Sequence, residues 1–576
     1  MQLSTIDYII LISFFLISLL IGVAVARKSG QNSGSFFLSN RNMPWWLLGV
    51  SMVATTFAAD TPNFVAGLIR EEGVYGNWIW WSFLLTGLLT VFFYARLWRK
   101  SGITTDLEFY ELRYSGKSAA FLRGFRAVYL GVFFNIVIMA NVCLAAIKVG
   151  HVMFGFSEFQ SLFIACLVTG VYAMLGGLRG VLITDFIQFF IAMIGSIWAT
   201  VYIVNHDAVG GIDTLINAPQ VRDKLAIFPD FSNWEIVIPM LIIPLAVQWW
   251  SVWYPGAEPG GGGYIAQRML AAKDEKHAVW ATLFFNIAHY ALRPWPWIVI
   301  GLASLIVYPD LLSLQNAFPD LNPDFVKNDL SYPAMLRLLP SGLLGLVVTS
   351  LVAAFMSTIS THLNWGSSYV VNDFYARFIK KSASEKEKVR VGRLSTFLML
   401  LCAALLALVL EEAREAFNLL LQIGAGTGLL FILRWFWHRI NPYSEITAMV
   451  VSFLIAVFFF VNDKLETPLV TIATHWQLVV GVIITTCAWV IVSLLTKPSK
   501  AETIGAFENL VFGNESKFYN FRYKIAAFFL TMIGIYSLLF AVGYFIYQNT
   551  ALAWVLVLVT LSCFIILFRI RRKALN

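Results

Sequence analysis

Charge is scarce in this sequence. Asp, Glu, Lys and Arg make up 13% of its 576 residues, about half the roughly 25% of an average soluble domain. The five cysteines (Cys143, Cys166, Cys402, Cys487 and Cys563) fall in apolar stretches without paired spacing, so no disulfide framework or zinc motif follows. The seven histidines form no HExxH pattern, and no phosphate-cradling GxxxxGK[ST] loop occurs. ATP-driven transport by this chain alone is therefore unsupported. No segment between apolar runs is long enough for a soluble catalytic domain, and no enzymatic activity is expected.

What the chain has in excess is hydrophobicity: 59% of residues are hydrophobic and the mean hydropathy is +0.73. The apolar runs reach the roughly 18–20 residues that cross a bilayer as a helix, and helices satisfy their own backbone where lipid cannot. The fold class this predicts is an all-α polytopic membrane protein. Fifteen candidate spans are read, the first near 7–26 and the last near 550–570. The net charge of +8 does not point to nucleic acid, because most Lys and Arg fall in alternate loops. By the positive-inside rule those loops are cytoplasmic. The N-terminus is then outside and the tail with Arg569, Arg571, Arg572 and Lys573 inside, in a plasma (inner) membrane. The segment Tyr308–Pro340, with Asp310, Asp320, Asp324 and Asp329, reads as a solvated outer loop.

Two spans look interrupted. One contains Asp60-Thr61-Pro62; the other contains Pro239 and Pro244, then Tyr254-Pro255 through Gly263. Proline and glycine do not continue a regular helix. The two spans are five apart, so they run in opposite directions, and such paired interruptions point to an inverted-repeat transporter. In the span near 341–373, Ser357, Thr358, Ser360 and Thr361 fall within one sector of about 160° at 100° per residue, with Ala354 inside it. Neutral hydroxyl oxygens suit Na⁺, and helix–helix hydrogen bonding is the plainer use of the same stripe. Asp185, at the mouth of the span near 182–204, is either functional or hydrated at the interface. Asp60 lies inside an interrupted helix, where it can pair a substrate amine, carry a proton or accept from freed amides.

With these residues in hand, the chain resembles the solute:sodium symporter family. Phe36 to Arg41 with Pro44-Trp45-Trp46, Tyr172 to Leu178 with Thr184-Asp185, and Gln267 to Lys273 are similar to its motifs, as is the stripe from Ala354 to Thr361. The resemblance implies a LeuT-type core of two five-helix inverted repeats, with one extra N-terminal and about four extra C-terminal helices. Its segments are 1–43 (extra helix and loop), 44–204 (first repeat), 205–440 (second repeat) and 441–576 (further helices). It also implies a sodium site from the carbonyls of Ala54 and Phe57 with Ala354, Ser357 and Thr358, and a second from Asp185, Ser360 and Thr361. Substrate-facing positions by the same register are Thr56, Asp60, Thr61, Gln248, Trp249 and Ser251. The lysine of sugar-transporting relatives aligns with Tyr290 here, and Arg293 is the nearby charge. The activity so implied is sodium-coupled import of a small polar solute by a monomeric transport unit. A sugar or sugar derivative is favoured over an amino acid or organic acid, and a non-transporting sensor is the remaining alternative.

Overall fold

The computed structural model describes residues 3–29, 33–321, 323–410, 413–465 and 467–575. The side chains of Tyr172, residues 174–176 and Asp324, used in the sequence reading, lie outside the described ones. Among the described residues there are helices and two isolated β-bridges but no strand. Twelve helices are long and apolar enough to cross a membrane. We number α1 (Thr5–Ser29), α2 (Trp45–Thr55), α3 (Asp60–Glu71), α4 (Val74–Ser101), α5 (Lys117–Phe154) and α6 (Glu158–Val204). There follow α7 (Trp234–Ser251), α8 (Gly263–Ala271), α9 (Glu275–Val307), α10 (Leu343–Ile379), α11 (Glu385–Ala407), α12 (Ala413–Gly424) and α13 (Gly428–Leu433). The helices Pro442–Lys464, Thr474–Leu495, Phe521–Ile546 and Thr550–Ala574 complete the chain.

Both expected interruptions are present. Helix α2 ends at Thr55 and α3 begins at Asp60, leaving 56–59 outside regular helix. Helix α7 stops at Ser251, where Val252 turns extended (φ −106°, ψ 134°), and helix resumes only at Gly263. In that connector Gly256 and Gly260 take φ of 81° and 76°, a region that strains any residue with a Cβ. The prolines at 239 and 244 do not end α7; they lie within it, in stretches wound as π-helix.

A third break was not expected. Residues 413–433 divide at 425–427 into α12 and α13. The Gly426 N–H donates to the Ser251 carbonyl at 2.9 Å, and the Trp253 N–H donates to the Gly424 carbonyl at 3.1 Å. Two broken helices thus satisfy each other's freed backbone. A Cβ at Gly424 would stand 2.0 Å from the Trp253 carbonyl oxygen, so only glycine permits the approach. The expected spans near 158–178 and 182–204 join directly as the two arms of α6, bent at Gly177 (φ 54°, ψ −171°).

The segment 308–340 is more than a solvated loop. Its Asp329 is 4% exposed and accepts from Lys148 of α5 at 2.7 and 2.9 Å, while Leu330 and Tyr332 are buried. The cause is Lys148 itself: an uncompensated ammonium deep in a helix bundle is costly, so the aspartate is drawn in to it.

The extra helix α1 is fastened through Asp7, which is 1% exposed. Its Oδ1 accepts from the N–H groups of Gly342 and Gly345 at 2.7 and 2.8 Å, serving the otherwise unsatisfied start of α10. Replacing Asp7 by Ala is expected to cost on the order of 2–4 kcal/mol by orphaning two buried donors. The check is a lower melting temperature in detergent, with Asp7→Asn losing less because one acceptor remains.

Candidate ion and solute site

The stripe on α10 meets the end of α2. Thr358 Oγ1 donates to the Thr55 carbonyl at 3.0 Å, one of the carbonyls left open where α2 ends. Thr361 Oγ1 lies 3.1 Å from Thr55 Oγ1. Ser357 Oγ donates to Asp185 Oδ1 at 2.6 Å, and Ser360 Oγ donates to the Ser357 carbonyl at 3.1 Å. All four hydroxyl side chains are buried, as is Ala354 one turn earlier. Ala54 sits in the last turn of α2 and Phe57 just beyond it. The Phe57 N–H donates to the Val53 and Ala54 carbonyls at 3.0 and 3.1 Å. The carbonyl that α10 engages is therefore Thr55, one residue past Ala54.

Asp185 is fully buried, which removes the hydrated-interface alternative. It accepts from Ser51 of α2 as well as from Ser357. Its counter-ion is Arg268 of α8, also fully buried, with Nη2 3.7 Å from Asp185 Oδ2. The same guanidinium donates to Ser51 Oγ at 3.1 Å, Thr55 Oγ1 at 3.1 Å and Thr361 Oγ1 at 2.8 Å. It contacts both Asp185 and Thr361, while Asp185 is joined directly to Ser357 and Ser51. In the sequence Arg268 lies inside the motif from Gln267 to Lys273. A single arginine amid Ala266, Met269 and Leu270 was the available signal.

Beside this network lies a central cavity of about 150 Å³. Thr56, Asp60 and Thr61 line it. Asn141 of α5 donates to Asp60 Oδ2 at 2.7 Å, while Oδ1 has no partner. Thr56 Oγ1 donates to the Met52 and Val53 carbonyls at 3.0 Å and lies 2.9 Å from His289 Nδ1. Arg293 Nη1 donates to the Val53 carbonyl and to Thr56 Oγ1, both at 3.3 Å. A cation there complements the negative end of α2, and it packs over Trp297 at 5.1 Å and Phe57 at 5.9 Å.

Gln248, Trp249 and Ser251 do not line this cavity. Gln248 Nε2 donates to the Ile79 carbonyl at 2.6 Å, and Ser251 Oγ donates to Val247 at 2.6 Å. Trp249 donates to Leu245 at 2.9 Å and borders a separate cavity. Because α7 stops at Ser251, the wall is built instead by Tyr254 to Ala257 of the connector. Of the tryptophans at 78–81, 249–250 and 295–297, only Trp80 lines the cavity.

Helices broken in pairs around buried oxygens, inside an all-helical membrane bundle, define a LeuT-type transporter core. A solved Na⁺-coupled sialic acid symporter has the same fold, with a TM-score of 0.68 at 22% identity over 86% of this chain and 99% of that one. The profile of the sodium:solute symporter family matches residues 36–452, and the chain belongs to that family, which consists of transporters. Among curated relatives, the sodium/glucose cotransporter of Vibrio parahaemolyticus is 26% identical over 79% of this chain and 85% of its own length. Sodium/glucose cotransporter 1 of Oryctolagus cuniculus is 24% identical over 85% of this chain and 79% of its own.

Losing one partner of a buried ion pair leaves the other charge uncompensated. Arg268→Gln is expected to destabilise by about 3–5 kcal/mol. Adding Asp185→Asn should restore part of that loss in a detergent melt, and additive losses in the double variant would contradict the pairing.

Proposed function

We propose that this protein imports a small hydroxylated solute, a sugar or sugar derivative, by sodium-coupled symport. The observation that carries the reading is Thr358 on the Thr55 carbonyl, where hydroxyl oxygens and freed backbone oxygens meet beside the solute cavity. Sodium would be held by oxygens of Ala54, Phe57, Ala354, Ser357 and Thr358. A second ion would use Asp185, Ser360 and Thr361, and would need the Arg268 guanidinium to turn aside. Each sodium moving inward supplies about 2.3 kcal/mol per 100 mV of membrane potential. Sodium joining α2 to α10 would favour the solute-ready state, and the coupling is reciprocal.

The core would comprise repeats at 44–204 and 205–440, flanked by 1–43 and 441–576. The working unit would be a monomer without enzymatic activity, with its N-terminus outside a plasma (inner) membrane and its C-terminus in the cytoplasm. Support for a sugar is the polar lining of Thr56, Asp60, Thr61 and Asn141 against aromatic Trp80 and Tyr290, together with the glucose cotransporters among the relatives.

A second reading, a carboxylate-bearing solute, is favoured by Arg293. It is 2% exposed and its Nε has no hydrogen-bond partner. Among the described residues no carboxylate pairs with it, so a substrate anion would supply the missing charge.

Reconstituted in liposomes, the protein should concentrate solute only under an inward sodium gradient, and uptake indifferent to sodium would end the proposal. Ser357→Ala with Thr358→Ala should raise the half-saturating sodium concentration at least about tenfold, the equivalent of about 1.4 kcal/mol. A thermal-shift screen with sodium separates the substrates: neutral sugars are expected to stabilise both wild type and Arg293→Gln. Stabilisation by sugar acids or amino acids alone, lost in Arg293→Gln, would favour the second reading.

A further inference from the structure

Next to the central cavity is a smaller one that shares Gly256, Ala257 and Phe285 with it. Its polar lining is Thr86 and Thr90 of α4, Glu258 of the α7–α8 connector, and Thr282 and Asn286 of α9. The side-chain donors of this lining are already committed to backbone carbonyls. Thr86 Oγ1 donates to Trp249, Thr90 Oγ1 to Thr86 at 3.1 Å, and Thr282 Oγ1 to Ala278 at 2.9 Å. Asn286 Nδ2 donates to Thr282 at 2.8 Å. Acceptors are what remain. Both carboxylate oxygens of Glu258 and the Oδ1 of Asn286 lack a hydrogen-bond partner, although Glu258 is 4% exposed and Asn286 fully buried.

Such a lining is unstable when empty, because a buried carboxylate needs a compensating charge or proton. Among the described residues no cation forms an ion pair with Glu258, on which Arg126 and Arg434 act only at a distance. Asp106 accepts from the Gly263 N–H at 2.9 Å and from Tyr369, and so adds a second negative group nearby. Arg126 and Arg434 are directed to Glu445, at 3.4 and 3.5 Å.

We infer that this cavity is a binding site for a monovalent cation, taking sodium. The ion is held by the Glu258 carboxylate, the Asn286 side-chain carbonyl and the hydroxyl oxygens of Thr86, Thr90 and Thr282. Carboxylate, carbonyl and hydroxyl oxygens suit a hard cation. Glu258 is the one carboxylate in the lining, and it balances a single positive charge. The site has no residue in common with the α10 stripe or with Asp185. It sits on the connector, so an ion there neutralises the only carboxylate that the connector carries into the bundle.

The test is equilibrium binding of radiolabelled sodium to the purified full chain, without solute, so that its outcome is separate from the identity of the transported substrate. Glu258→Gln is expected to bind one sodium fewer per chain than wild type. The isosteric Thr282→Val should weaken that ion about tenfold, a loss of about 1.4 kcal/mol, and it carries the test if Glu258→Gln does not fold. Wild-type sodium binding in a folded Glu258→Gln or in Thr282→Val would overturn the assignment. So would a protein whose Glu258 responds to pH and not to sodium, since the occupant would then be a proton.

Discussion

The helix that should cross the membrane in one piece stops at Thr55, and the peptide groups beyond it have no lipid or water to bond. That constraint organises the centre of the molecule. Thr358 reaches the Thr55 carbonyl from α10, and Arg293 reaches the Val53 carbonyl from α9. Thr56 turns its hydroxyl back onto Met52 and Val53, and its oxygen lies 2.9 Å from His289 Nδ1. Each neighbour that satisfies the break also places a polar group beside a cavity. Irregular backbone at this depth is tolerable only under such conditions, so the local defect and the binding geometry have one origin.

The second break follows the same rule with a different partner. Helix α7 ends at Ser251, whose carbonyl is taken by Gly426 in the break between α12 and α13. Glycine at 424 and 428 lets the two backbones approach where a Cβ would stand 2.0 Å from the Trp253 oxygen and 2.5 Å from the Trp250 oxygen. One interruption is thus answered by side chains and the other by backbone. The former gathers hydroxyl and carbonyl oxygens; the latter fixes the connector that walls the central cavity.

Buried charge in this protein is mostly compensated within the fold. Asp185 faces Arg268, Lys148 faces Asp329, and Arg123 serves Asp373 and Glu111 at 2.6 and 2.7 Å. Asp60 with an orphaned Oδ1, Arg293 with an orphaned Nε and Glu258 with both oxygens orphaned are three that depart from that pattern. Among the described residues Arg70 and Arg113 also lack an ion pair and donate to backbone carbonyls instead. Asp60, Arg293 and Glu258 line cavities. An unpaired buried charge is costly, and at these three positions the cavity leaves room for a group that would offset it.

Composition and periodicity by themselves determined the helical membrane class, the interrupted helices at Asp60 and Pro255, and the face that Ser357, Thr358, Ser360 and Thr361 share. These are local properties, set by solvent, by proline and glycine chemistry and by helix geometry. Tertiary structure decided what each group meets. It turned Asp185 inward onto Ser51 and Ser357, set Arg268 against both Asp185 and Thr361, and drew Asp329 in to Lys148. It also ended α7 at Ser251, which moved the cavity wall from Gln248, Trp249 and Ser251 to Tyr254 through Ala257, and it opened α12 and α13 around Gly426. Partners distant in sequence are chosen by packing and charge compensation across the bundle, and neither leaves a periodic trace in the chain.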